Sequence, residues 1–478
     1  MLFNSIEYAI FLPIVFLFYW FIVNKNLKLQ NFFLLTVSYI FYGWWDWRFL
    51  ILIIFSSMVD YLVGIGLEKQ QDNARRKMLL LTSILVNIGF LGFFKYYNFF
   101  AENFLKAFTI FGQHPDITSL NIILPVGISF YTFQTLSYSI DVYRRKFKST
   151  KDTIAFFVFV AFFPQLVAGP IERAANLLPQ FYKKRYFEHG KAVDGMRQIL
   201  WGLFKKIVIA DNCAHYANVI FSNYSDYSGS TLVIGLLLFT FQIYGDFSGY
   251  SDIAIGTARL FGFNLMRNFA FPYFSRDIAE YWRRWHISLS SWFRDYIYIP
   301  LGGSRGSTWM KIRNIFIIFL VTGFWHGANW TFVAWGLINA CYFLPLMLTK
   351  QNRKHLDIVA KGKILPSIKE LFQMGTTFFL ACMARVFFRS ESISGAFHYI
   401  RIMFSASLLT IPTILPRRLI PAIILFVMIE WIQREKQHAL QIDSFKLPEV
   451  VKWGIYYSLL IIIIFFGGTQ QEFFYFQF

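Results

Sequence analysis

The sequence predicts an all-α polytopic membrane protein, and three observations carry that reading. Apolar runs long enough to cross a hydrocarbon core of about 30 Å recur along the whole 478-residue chain. Hydrophobic residues make up 56% of it and aromatics 21%, against roughly 45–50% apolar residues in soluble domains. Fifty-nine Phe and 14 Trp would coat a soluble protein with exposed apolar surface, whereas lipid can cover them. Charged residues are only 15% and fall in short clusters between the apolar runs.

The clearest runs lie near 8–23, 31–45, 49–66, 79–94, 122–140, 231–262, 314–348, 369–388, 417–433 and 452–467. Some are too long or too broken for one helix, so about eleven transmembrane or re-entrant helices are expected. Glu7 is the only charge before Lys25. A signal peptide carries its positive charge ahead of the apolar core, so the first run reads as a retained span. Lys25 and Lys28 follow it, Lys69 and Arg75 to Lys77 follow the third run, and Arg144 to Lys151 follow the fifth. The intervening loops hold only Arg48, Lys95 and Lys106. That alternation puts the basic loops in the cytosol and both termini outside.

Residues 154–169 are apolar, yet basic clusters flank both sides and Pro164, Gln165, Gly169 and Pro170 interrupt the run. A re-entrant segment fits this better than a crossing, because broken backbone at membrane depth must be buried in protein or line a cavity. The stretch 264–313 interleaves aromatics with Arg276, Arg283, Arg284, Arg294, Arg305, Lys311 and Arg313. It is too polar to span and is expected as interfacial amphipathic helices on the cytosolic side. Nothing repeats at a fixed period and no linker divides the chain, so one domain, 1–478, is expected.

The net charge of +19 raises nucleic acid as a partner. The cations flank spans instead of forming a continuous basic face, which is the pattern of membrane topology and anionic headgroups. No nucleic-acid partner is expected. Cys213, Cys341 and Cys382 are scattered in apolar stretches without metal-ligand or disulfide spacing, so neither a metal site nor a disulfide framework is expected. There is no GxSxG, HExxH or GxxxxGK[ST] motif, which argues against an embedded serine hydrolase, a zinc protease and a nucleotide-driven pump.

Three segments could carry chemistry. Gly323-Phe-Trp-His326-Gly-Ala-Asn329-Trp330 places a histidine inside an apolar run. An ionisable group there is costly unless it faces a cavity or a partner. Burial keeps imidazole neutral and competent as a base. On a continuous helix Asn329 would share its face, and Gly323 with Gly327 would let a neighbour approach. The plain alternative is a satisfied structural histidine. The second segment, Tyr281-Trp-Arg283-Arg284-Trp285-His286 through Trp292-Phe-Arg294-Asp295-Tyr296 to Gly302 and Gly303, holds guanidinium groups suited to phosphates and aromatics suited to an adenine or acyl chain. An interfacial belt meeting lipid phosphates is equally open. The third segment, Gln242 to Asp252, puts Gly245, Gly249, Asp252 and Gly256 on one helical stripe. Its carboxylates, Asp246 and Asp252, need partners that Arg or a cavity would supply; helix packing alone also explains the glycines.

Together, YWRRWHISLSSWFRDY, the LGG after it, DFSGYSD, FWHGAN, and the upstream LPVGISFYTFQTLSYSIDVYR and FFPQLVAGPIER resemble the membrane-bound O-acyltransferase (MBOAT) family, specifically its bacterial alginate O-acetyltransferase branch. The resemblance runs to about residue 390, with its motif core at about 122–348. It implies a multi-pass fold around a central funnel in the bacterial cytoplasmic membrane, with His326 as the intramembrane histidine and His286 as the second polar position. It implies acetyl transfer from a cytosolic thioester such as acetyl-CoA, with no bound cofactor, toward hydroxyls of an exported polysaccharide. A periplasmic SGNH-type acetyltransferase would be the partner. Donor and acceptor contacts are expected from Arg283, Arg284, Trp285, Arg294, Asp295, Asn329, Asp246 and Gln165. D-alanyl transfer to teichoic acid is the alternative within the family. A polysaccharide transporter or a scaffold are the alternatives outside it, although the chain lacks the repeat symmetry common in transporters.

Overall fold

A computed structural model describes residues 1–110, 120, 122–167 and 169–474. The expected external C-terminus rests on residues 475–478, which lie outside the described residues. Among the described residues the regular structure is helical, with no strand. Six stretches are long and apolar enough to cross a membrane: Leu27–Lys69, Asn73–Thr109, Gly229–Leu260, Trp330–Leu348, Ile368–Arg389 and Glu449–Phe466. Shorter apolar helices cover Ile6–Ile22, Thr153–Leu166 and Leu419–Ile432. Among the described residues these make nine apolar helical stretches, where about eleven were expected, and backbone breaks shorten several of the runs. At Asp46 the chain turns extended (φ −160°) between two runs that fall within one 43-residue stretch. The run at 122–140 becomes helical only at Ile128, after Gly127 in the left-handed region.

The chain forms two compact units, Met1–Ala192 with Thr257–Met266, and Val193–Gly256 with residues 267–474. In the first, the helices Leu50–Lys69, Asn73–Leu91 and Ile128–Tyr143 meet around Asp60. Its carboxylate accepts from the hydroxyl of Ser83, from Asn87 Nδ2 at 2.7 Å and from Ser139 Oγ at 2.8 Å. A carboxylate buried without those donors would cost several kcal/mol, so the network fixes how the three helices pack. Asp72 caps Asn73–Leu91. Arg76, in its first turn, is buried and donates to the Tyr143 carbonyl at 2.7 Å. The segment expected to be re-entrant forms Thr153–Ala161 and Phe163–Leu166, broken at Phe162, and its side chains are almost all buried. Nine residues rise only about 13 Å as a helix, too little to cross.

The second unit is built on residues 229–256 of Gly229–Leu260, a 32-residue helix about 48 Å long, with 78% of its most apolar window buried. The glycine stripe on this helix is a packing seam. A Cβ at Gly249 would come within 2.8 Å of the Gly202 carbonyl, and one at Gly256 within 2.5 Å of the Gly195 carbonyl. Only glycine lets the helix His189–Leu203 and the π-helical turn Phe204–Ala210 that follows it lie so close.

Candidate active site

The apolar run 314–348 is a helical hairpin, Thr308–His326 and Trp330–Leu348. The two helices interlock tightly: a Cβ at Gly323 would strike the Phe332 carbonyl, and one at Gly336 the Phe319 carbonyl. His326 is the last residue of the first helix, and Gly327 leaves it with extended backbone. The expected shared face of His326 and Asn329 therefore does not form. Asn329 instead caps the second helix: its Oδ1 accepts from the Thr331 N–H, and its Nδ2 donates to the Glu391 carbonyl, both at 3.0 Å. The cause is local. Glycine ends helices and asparagine starts them.

His326 is buried, 3% exposed. Trp325, Trp335 and Phe388 set their rings edge-on around it, with centroids 4.9, 5.1 and 5.2 Å away. It lines a cavity with about 20 Å³ of free volume, shared with Tyr281, Trp285, Asn339 and Arg385, which is room for about one water. Arg385, on Ile368–Arg389, is 4% exposed. It donates to the Tyr281 hydroxyl at 2.7 Å and lies 4.9 Å over the Trp285 ring. Trp285 in turn stacks on Tyr281 at 5.6 Å. A guanidinium on the same cavity wall as the imidazole pairs a hydrogen-bond donor with a potential base, an arrangement able to stabilise developing negative charge.

His286 is also buried, 1% exposed, and takes a left-handed backbone (φ +44°) ahead of the helix Ile287–Phe293. Trp325 neighbours both histidines: its ring centroid is 6.2 Å from that of His286 and 4.9 Å from that of His326. His286 Nδ1 faces Asn268 Oδ1 at 3.0 Å. Asn268 donates through Nδ2 to Ser251 Oγ at 3.0 Å, and its Oδ1 accepts from Ser288 Oγ at 2.9 Å. That network makes Oδ1 the acceptor, so Nδ1 carries the hydrogen and Nε2 the lone pair. Nε2 is buried with no hydrogen-bond partner among the described residues. Burial pushes the imidazole down to about 3, so it is neutral at physiological pH.

The other expected residues are placed differently. Arg283 donates to the carbonyls of Asn352 and His355 at 2.8 and 2.7 Å. Arg284 pairs with Glu280 at 2.7 Å. Arg294 is exposed and pairs with its neighbour Asp295 at 2.8 Å, and Arg305 is exposed as well. Much of 264–313 is buried within the second unit, including Phe269, Ile278, Tyr281, Trp285 and His286. Asp246 and Asp252 were expected to meet Arg or a cavity; both meet lysines, and Asp252 lines a cavity with Lys205. Lys205 lies 2.5 Å from Asp252, and Lys206 lies 2.7 Å from Asp246 and 2.8 Å from Asp211. The π-helical turn carries both lysines to the same long helix. Asp246 also accepts from the Phe474 N–H at 2.8 Å, which ties it to structure. Gln165 lies in the first unit, where its Nε2 donates to Gln134 Oε1 at 2.6 Å.

Sequence reasoning missed Arg385, Asn268, Lys205 and Lys206. Arg385 carried a signal of the same kind as His326, a lone ionisable group in an apolar run. Asn268 carried none, because its importance comes from a contact 18 residues along the chain.

Residues 144–388 match the membrane-bound O-acyltransferase family. The "Probable alginate O-acetylase AlgI" of Pseudomonas aeruginosa is 40% identical over 404 residues, covering 84% of this chain and 74% of the relative. The "Peptidoglycan O-acetyltransferase" of Helicobacter pylori is 34% identical over 81% of this chain and 76% of its own length. The "Teichoic acid D-alanyltransferase" of Bacillus subtilis is 28% identical over 53% of this chain and 67% of its own length. The match across half the chain, the 40% identity and the helices of spanning length agree: this chain is a multi-pass membrane enzyme of the membrane-bound O-acyltransferase family.

Proposed function

We propose that this enzyme moves acetyl from a cytosolic thioester, acetyl-CoA, toward hydroxyls of an exported polysaccharide such as alginate, with His326 as general base. The observation that carries the reading is a buried imidazole on the wall of a small cavity that it shares with the Arg385 guanidinium. The acceptor oxygen attacks the thioester carbonyl and its proton passes to the His326 ring. The C–O bond forms, the C–S bond breaks, and the proton leaves on the thiol. General-base action of this kind contributes about 10²–10⁴-fold. Arg385 faces the carbonyl oxygen, and His286 orients the donor from beside Trp325. The small cavity limits the water that would hydrolyse the thioester.

Arg283 and Arg284 already meet carbonyls and Glu280, so the exposed Arg294 and Arg305 are assigned to the donor phosphates. The whole chain, 1–478, acts as one catalytic domain in the bacterial cytoplasmic membrane, with its basic loops inside. It hands acetyl to a periplasmic SGNH-type partner. Likeness to a teichoic acid D-alanyltransferase supports a second reading, D-alanyl transfer from a carrier-protein thioester. The test is acceptor-dependent release of thiol from acetyl-CoA by the purified enzyme in proteoliposomes. His326→Ala is expected to lower the rate at least about 100-fold with an unchanged elution profile. A parental rate in that variant sinks His326 as the base. Turnover with a D-alanyl carrier thioester but not with acetyl-CoA moves the function to the second reading.

A further inference from the structure

The first unit carries a groove remote in sequence from every catalytic candidate. Phe16, Trp20 and Phe187 form its floor and Lys25, Lys184 and Arg185 its rim, around about 390 Å³ of free volume. The floor is a rigid aromatic surface. Phe187 meets Phe16 at 5.9 Å and Trp20 at 5.6 Å, both edge-on, and the Trp20 indole is pinned to the Leu260 carbonyl at 2.9 Å. Beside it Phe21 is 74% exposed and Tyr186 is 68% exposed, as lipid-facing side chains at a membrane boundary would be.

The rim is a cluster of cations short of anions. Arg185 is buried, 7% exposed. It donates to Gln30 Oε1 through Nε and Nη2, to Asn31 Oδ1 and to the Gln180 carbonyl. All of these acceptors are neutral, and they take four of its five donor hydrogens. Rings supply the rest of its surroundings, Phe263 at 4.9 Å and Tyr19 at 5.8 Å. No carboxylate lies within ion-pair distance of Arg185, Lys184 or Lys25 among the described residues. A buried guanidinium without a counter-charge is costly and favours an incoming anion. Lys184, held 5.5 Å over the Tyr186 ring, and Lys25 stand exposed at the mouth.

We propose that this groove is a binding site for one anionic phospholipid, whose phosphate is held by Lys25, Lys184 and Arg185 and whose acyl chain lies on the aromatic floor. A basic pocket between membrane helices on the cytosolic side suits such a headgroup. An apolar floor continuous with the phosphate site requires that the phosphate come with a chain, so the occupant is a lipid and not a soluble anion.

The experiment is native mass spectrometry of the full-length protein released from detergent, with phosphatidylglycerol or phosphatidylcholine carrying identical chains. Phosphatidylglycerol is expected to bind more tightly by about fivefold for each contacting lysine. Lys25→Gln with Lys184→Gln is expected to weaken it about 25-fold while leaving phosphatidylcholine binding unchanged. Arg75→Gln with Lys77→Gln, at the exposed basic start of the helix Asn73–Leu91, is expected to keep the preference. Equal binding of the two lipids, a preference that survives the double Lys25/Lys184 variant, or one lost equally in the Arg75/Lys77 variant overturns the proposal. Displacement of phosphatidylglycerol by millimolar inorganic phosphate overturns it too, since the site would then be an anion site without a lipid.

Discussion

Asn268 Oδ1 lies 3.0 Å from His286 Nδ1, and the other bonds of Asn268, to Ser251 and Ser288, fix which end of its amide faces the ring. The result is one defined neutral tautomer, with the Nε2 lone pair turned away from the asparagine. On the proposed mechanism Asn268 acts through His286, as a positioning residue.

Asn268→Asp tests that arrangement through pH. A carboxylate beside Nδ1–H favours the charged imidazolium, so the His286 pKa rises from its burial-depressed value near 3. The lone pair at Nε2 is present only above that pKa, and activity therefore falls as pH drops through it. The parental kcat/KM is expected to show no acid limb from His286 between pH 5 and 8, whereas the Asp variant is expected to gain one. Asn268→Leu is expected to lower activity at every pH by removing the orienting bond. Identical pH profiles for the parent and the Asp variant would show that Asn268 does not control the ring.

The Lys206 ion cluster makes a prediction about stability. Lys206, Asp246 and Asp211 are each about 2% exposed or less. Removing one partner of such a buried set strands the others, at a cost of about 3–5 kcal/mol. Lys206→Met is expected to melt far below the parent in detergent, or to fail to accumulate. Adding Asp246→Asn and Asp211→Asn to the same chain is expected to recover most of the loss, because no buried charge is then left over. A single Lys206→Met variant that melts like the parent would show that the three groups are neutral or hydrated in the folded protein.

What could be read in advance, and what could not, divides along the same physical line. His326 stood out because an ionisable group in an apolar run is expensive wherever the fold puts it. Membrane character stood out because composition alone decides what solvent can cover 59 Phe. Which cation meets Asp246 could not be read, because distance in sequence says little about which one arrives. Lys206 is 40 residues away, on a π-helical turn. Asn329 was misplaced for a different reason. Gly327 and Asn329 are ordinary stop and start signals for helices, but the unbroken hydropathy of 314–348 outweighed them.

The exposed arginines carry the final prediction, about donor binding. Arg283 and Arg284 satisfy carbonyls and Glu280, so replacing them acts first on the fold. Arg283→Lys and Arg284→Lys are expected to lower the melting temperature, since a single ammonium cannot reproduce a forked pattern of bonds. Arg294 and Arg305 reach solvent, and among the described residues the Arg294 side chain bonds only to the neighbouring Asp295. Their fork can grip a phosphate with two parallel bonds, which lysine cannot do. Arg294→Lys and Arg305→Lys are therefore expected to raise the KM for acetyl-CoA several-fold with kcat little changed, the pattern of binding energy lost equally from ground and transition states. A surface that meets only lipid phosphates needs charge and no fork, so its arginines tolerate lysine. Steady-state kinetics of both variants in proteoliposomes separate the cases. An unchanged KM in both would place the donor phosphates elsewhere in the second unit, or make the donor a carrier protein whose contacts are spread over a wider surface.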